Sequence, residues 1–242
     1  LYWPEGNHNV AIGQEAMYGA NTTTTAQENV SIGRQSLNSA TSAEKNVVIG
    51  NYAAKDWTTA TESVAIGYGA AENNTTENRS VTIGYLASNT GVALGNVAIG
   101  YQAGKAFTST SYENVVIGYN AAQVATARNL TVMGRAALSA MVTGNNQTAL
   151  GHETLATLTS GTSNVAVGKA AGSAMPSGNY NVFVGESAGR GNASASAVAQ
   201  YNTFLGAFSG YDITTGEQNQ GIGGFTLEDI TTGWSNTAIG YV

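Results

Sequence analysis

Apolar residues along this chain come in short bursts of three, spaced too regularly for chance and too far apart for an amphipathic helix. The recurring pattern is Asn, Val, a small residue, Ile, Gly, two variable residues, then Ala. Asn9-Val10-Ala11-Ile12-Gly13, Asn46-Val47-Val48-Ile49-Gly50 and Asn236-Thr237-Ala238-Ile239-Gly240 are examples. The anchor glycines are Gly13, Gly33, Gly50, Gly67, Gly84, Gly100, Gly118, Gly134, Gly151, Gly168, Gly185, Gly206, Gly223 and Gly240. Their thirteen spacings run from 16 to 21 residues, and eight of them are 17.

Aligned on the anchor, each position has its own chemistry. The residue before Gly is always aliphatic or Met, and the residue three before is Val nine times and Thr four times. Four before Gly stands Asn ten times, with Ser63, Ser80, Leu130 and Gln147 as exceptions. Three after Gly only Ala, Ser or Thr occurs, and seven after is apolar in ten of thirteen repeats, including Ala20, Trp57, Phe107, Met141 and Leu158.

Val-x-Ile has period 2, so both side chains share one face of a short strand, and β-branched residues suit a strand. Placing that pair inside predicts an interior of one Val, one Ile, one Ala and one further apolar group per coil. Gly at the strand end supplies a positive φ or lets another backbone come close. Asn at the strand entry bonds local backbone, adopts a left-handed conformation, or stacks as a ladder on equivalent Asn of neighbouring coils. Each repeat thus predicts one coil of an all-β parallel β-solenoid. Fourteen coils at one strand spacing each make a rod of roughly 65–70 Å. So thin a core is hard to stabilise alone, and the expectation is a homotrimer whose chains pool their apolar faces.

Composition narrows the function. Of 242 residues, 42% are hydrophobic and only 10% charged, with 31 Gly and no Cys. A net charge of −6 argues against a nucleic-acid partner, which needs clustered Lys and Arg. No apolar stretch approaches a membrane span, so no membrane insertion is expected, and the absence of Cys excludes a disulfide framework or thiolate metal site.

Candidate chemistry is sparse. Gly185-Glu186-Ser187-Ala188-Gly189 matches the Gly-x-Ser-x-Gly elbow of hydrolases, but the same register reads Gly168-Lys169-Ala170-Ala171-Gly172 elsewhere, so it is a repeat unit. His8 and His152 form no triad or metal spacing with the few carboxylates, and neither a catalytic centre nor a metal or cofactor is expected. Glu28, Glu62 and Glu113 share the position five before Gly and suggest a loose acidic row on a solvated face. Thr22 to Thr25 do not recur in register from coil to coil, as an ice-binding face requires. Tyr68, Tyr85, Tyr101 and Tyr119 follow four successive anchors at a position that elsewhere holds Gln14, Arg34, Lys169 or Glu186, and is therefore exposed. They are the candidate receptor-binding residues, as a ladder for sugar faces; stacking on one another is the alternative.

The motif, clean at Ser63-Val64-Ala65-Ile66-Gly67-Tyr68-Gly69-Ala70 and at Asn96-Val97-Ala98-Ile99-Gly100-Tyr101-Gln102-Ala103, resembles the head repeats of trimeric autotransporter adhesins. It looks even more like the Asn-Thr-Ala-Ile-Gly-Tyr-x-Ala repeats of phage tail fibres. The resemblance spans essentially the whole chain and implies a trimeric left-handed parallel β-roll used for attachment, on a virion or at a cell surface. The partners it implies are further copies of the chain and a host cell-surface glycan or protein. The period is longer than the 14–15 residues usual in the autotransporter head, which favours the fibre. A bacterial surface adhesin and a purely structural spacer are the alternatives. Residues 1–242 read as one repeat domain, expected to be a piece of a longer fibre. Its character shifts near residue 144, where Gly144, Gly161, Gly178, Gly216 and Gly233 replace the Ala found seven before earlier anchors; the longest insertion, Arg190 to Tyr201, follows.

Overall fold

The computed structural model describes residues 8–19, 25–91, 94–140, 142–192 and 198–242. Ala20, Thr22 to Thr24, Met141 and residues 193–197 of the long insertion lie outside them. The chain divides into two compact units, one ending at Ile117 and the other beginning at Gly118. Each is a parallel β-solenoid, and no helix occurs among the described residues.

Unit 1 stacks seven three-residue strands: β1 (Val10–Ile12), β2 (Val30–Ile32), β3 (Val47–Ile49), β4 (Val64–Ile66), β5 (Val81–Ile83), β6 (Val97–Ile99) and β7 (Val115–Ile117). Successive strands pair in parallel with equivalent repeat positions opposite one another, as Val64↔Val81 and Ile66↔Ile83. Unit 2 does the same with β8 (Thr131–Met133), β9 (Thr148–Leu150), β10 (Val165–Val167), β12 (Val182–Val184), β14 (Thr203–Leu205), β15 (Gln220–Ile222) and β16 (Thr237–Ile239). A second small sheet there pairs β11 (Ser177–Asn179) with β13 (Val198–Gln200).

The structure inverts one expectation. The interior strand residue is the middle one: Val48, Ala65, Ala98, Val116, Val132, Phe183 and Phe204 are wholly buried. The Val and Ile on either side face outward and remain partly exposed, Val10 at 45%, Ile12 at 57% and Val115 at 39%. Period 2 fixes that Val and Ile share a face, not which face. The buried Asn settles it, because it lies two residues before the middle position and therefore shares its side.

That Asn does form a ladder. In unit 1, Asn29 and Asn46 each donate through Nδ2 to the Oδ1 of the preceding ladder residue. Each also donates to the carbonyl of the residue seven before the next anchor, Ala43 and Ala60 respectively. Ser63 and Ser80 continue the ladder through their hydroxyls. In unit 2 it runs from Gln147 through Asn164, Asn181, Asn202 and Asn219 to Asn236.

The turn after each anchor carries two residues with φ near +50°, and a third precedes the strand: Gln35, Leu37 and Lys45 show the set. Left-handed conformations cost L-residues about 1–2 kcal/mol each. Here they aim backbone groups from coil to coil: Gln35 N–H donates to the Gln14 carbonyl and Leu37 N–H to that of Ala53.

Candidate functional site

Three of the tyrosines singled out from sequence come together in unit 1. Tyr68 and Tyr85 stack at 5.5 Å between ring centroids and 14° between planes, Tyr85 and Tyr101 at 5.1 Å and 7°. Tyr52 closes one end edge-on at 5.6 Å. Each follows an anchor whose register places it one rung from the next, so the spacing comes from the parallel strand pairing. All three are more than 40% or at 40% exposed, as is Tyr119 in unit 2. Between stacked neighbours the ring faces cover one another, so the row offers solvent its ring edges and hydroxyls. Such a surface suits hydrogen bonding to ligand hydroxyls better than the face-on stacking expected from sequence.

Unit 2 carries aromatic pairs that sequence reading passed over. Tyr180 and Tyr201 stack at 5.1 Å and 8°, both about half exposed. They occupy the position five before the anchor in successive coils, a signal hidden by the 21-residue spacing that contains the insertion. Phe208 and Phe225 stack at 5.1 Å, and the Arg190 guanidinium lies over the Tyr211 ring. Thr215, Glu217, Gln218, Thr232 and Trp234 line an open cavity of about 370 Å³.

The supposed acidic row reads differently in space. Glu28, Glu62 and Glu113 do share a column, but Lys45 and Arg79 stand between them in the intervening coils, so the signs alternate up to Gly95. Beside Gly95, Arg79, Leu94, Tyr112 and Glu113 line a cavity of about 390 Å³. Ser187 sits in the left-handed turn of its repeat, nearly buried, its N–H donated to the Lys169 carbonyl. His8 is exposed at a strand entry; Arg135 Nη1 approaches His152 Nε2 at 2.6 Å and Glu153 Oε1 at 3.7 Å on the surface of unit 2. Trp57 and Phe107 are core residues, 0% and 1% exposed. Among the described residues no three His, Asp or Glu side chains come together as a metal site, and no helix is long and apolar enough to cross a membrane.

One titratable group is out of place. Glu77 occupies the interior column filled by Ala26, Ala43 and Ala60 in earlier coils, and it is wholly buried. Burial away from water pushes its carboxyl up from 4.5 to about 7. Hydrogen bonds from Asn74 (2.6 Å), Thr82 (3.3 Å) and Ser80 oppose that rise only in part. The Trp57 indole N–H lies close enough to oppose it as well, without meeting hydrogen-bond geometry. A carboxyl whose folded-state pKa is raised stabilises the fold fully below its unfolded value of 4.5, and that contribution is lost as pH climbs toward 7. At 1.36 kcal/mol per unit the loss is about 3 kcal/mol. Denaturant unfolding should therefore show wild type losing about 3 kcal/mol relative to Glu77→Gln between acidic and mildly alkaline pH. A pH-independent difference would remove Glu77 as the cause.

Comparison with protein-family models, with curated proteins and with solved structures returns no match to this chain.

Proposed function

We propose that the chain is a segment of a non-enzymatic, fibrous attachment protein, a trimeric left-handed roll of the phage tail-fibre kind that engages a host-surface glycan or protein. The observation that carries this reading is the outward face of unit 1. Seven Val and seven Ile, with no exception and no charge, stand in two parallel columns on the outside of the sheet. Parallel sheets are rarely left with one face in water, and contiguous apolar patches of this kind mark association. Three copies around a common axis cover three such faces at once. The partners for these columns must repeat at the same strand spacing, which a further copy of the chain does. The exposed tyrosine row then faces outward to meet a receptor, through contacts that are individually weak and joined by avidity.

A bacterial surface adhesin built on the same roll places the same faces in the same roles, and a purely structural spacer uses the apolar face alone. Mass in solution and binding to a glycan array separate the attachment readings from the spacer. The native chain should run as a trimer and bind. Ile66→Lys with Ile83→Lys should give folded monomers whose apparent affinity falls by about 10²- to 10⁴-fold. Tyr85→Ala with Tyr101→Ala should leave the trimer intact and abolish binding. A stable native monomer sinks the pooled-face reading, a native trimer that binds nothing leaves the spacer, and unchanged binding of the tyrosine variant moves the receptor to another face.

A further inference from the structure

Residues 74–88 of unit 1 break the interior pattern at four columns. Asn74 takes a position that holds Ala40, Trp57 and Phe107 in other coils, and Glu77 takes that of Ala43 and Ala60. Thr82 takes that of Val48, Ala65 and Ala98, and Ser88 that of Leu37, Ala54 and Ala71. All four are buried. Polar residues at one interior site are tolerated where a neighbour satisfies them; four in one turn of the chain form a connected polar interior.

Their bonding is incomplete. Asn74 Nδ2 donates both to Glu77 Oε2 at 2.6 Å and to the Ser88 carbonyl at 3.0 Å, and Thr82 Oγ1 reaches Glu77 Oε1 at 3.3 Å. Three further atoms, Trp57 Nε1, Asn74 Oδ1 and Ser88 Oγ, are buried with no protein partner. They comprise a donor, an acceptor and a hydroxyl that is both. Leaving them unmet costs about 1–3 kcal/mol each. A buried water typically makes about three hydrogen bonds to such groups. A cation fits poorly, because the indole N–H can only donate.

We propose that the interior of unit 1 binds water here, hydrogen-bonded to Trp57 Nε1, Asn74 Oδ1 and Ser88 Oγ, and that Glu77 exchanges its proton with solvent through it. The side chains that bear on the Glu77 carboxyl are Asn74, Ser80, Thr82 and the Trp57 indole, all neutral. The charged side chains of its own coil and the adjoining ones, Lys55, Asp56, Glu62, Glu72 and Arg79, lie at exposed or half-buried positions, and none hydrogen-bonds the carboxyl. Ionisation thus leaves a charge with no counter-ion, met only by neutral donors and water, and Trp57, in the same column as Asn74 one coil away, reports it.

The test uses the full chain with Trp3→Phe and Trp234→Phe, so that Trp57 alone fluoresces. A crystal structure at about pH 5 should show ordered water within hydrogen-bonding distance of the three atoms. Trp57 emission should titrate with a single midpoint near neutrality, and Glu77→Gln should abolish the titration. Should Glu77→Gln fold poorly, Glu77→Ala carries the same test, since Ala is the residue of the neighbouring coils. A dry interior, a metal ion in place of water, an emission that does not titrate, or a titration that survives both substitutions overturns the proposal.

Discussion

Gly67→Ala is expected to destabilise unit 1 by more than about 4 kcal/mol, the range reserved for changes with a named structural cause. A Cβ at Gly67 would lie 2.5 Å from the Gly84 carbonyl oxygen and 2.8 Å from its carbon. Both atoms are backbone, held by the strand pairing of β4 with β5, so neither can move aside without breaking the ladder. The Gly67 φ of +132° adds strain that a side chain cannot relieve. Gly95→Ala supplies the contrast. Gly95 has φ +64°, with nothing within 4 Å of a built Cβ. Its column is occupied by Lys45, Glu62 and Arg79 in the same conformation, so the cost there should be about 1 kcal/mol. Thermal or denaturant unfolding of the two variants decides the matter: equal losses would mean the anchors are not close-approach sites.

The repeat made the architecture legible because every coil meets the same constraint. Period, strand position, anchor role, the tight small residue after the turn and the Asn ladder all follow from one alignment of the chain with itself. The direction of Val and Ile follows from the same alignment only once the Asn is known to be buried: a buried Asn ladder and outward Val-Ile columns are two statements of one parity. The left-handed residues were illegible for a different reason. Glu62, Tyr52 and Leu37 have no intrinsic preference for positive φ, and only the backbone bonds between coils, invisible in a single repeat, hold them there. The site was legible in part. The stacking of Tyr68, Tyr85 and Tyr101 follows from register, whereas Glu77 showed only as one of two breaks, with Ser111, in an Ala column of unit 1, and its consequence depends on burial.

Asn46→Ala is the second large effect expected, about 3–5 kcal/mol, because one side chain serves three buried partners. Its Nδ2 donates to Asn29 Oδ1 at 3.0 Å and to the Ala60 carbonyl at 2.7 Å, and its Oδ1 accepts from the Ser63 N–H at 2.9 Å. Truncation leaves the buried Ser63 N–H unpaired and strips the Ala60 carbonyl of its side-chain donor, leaving it only the Glu44 N–H, with room for no compensating group in so narrow a coil. The chain contains its own milder substitution. Ser63 Oγ donates to the Glu77 carbonyl at 3.1 Å and accepts from the Ser80 N–H at 3.2 Å, so a hydroxyl keeps both backbone bonds and gives up only the rung between side chains. Asn46→Ser should therefore recover most of the loss, to within about 1–1.5 kcal/mol of wild type, the worth of one hydrogen bond. Asn46→Asp should be worse than Ala at neutral pH, since a carboxylate would face the Ala60 carbonyl without a proton to donate and be buried unpaired. The order Ser, Ala, Asp in unfolding free energy is the signature of a ladder that works by satisfying backbone. An Ala variant as stable as the Ser variant would mean that the rungs merely fill space.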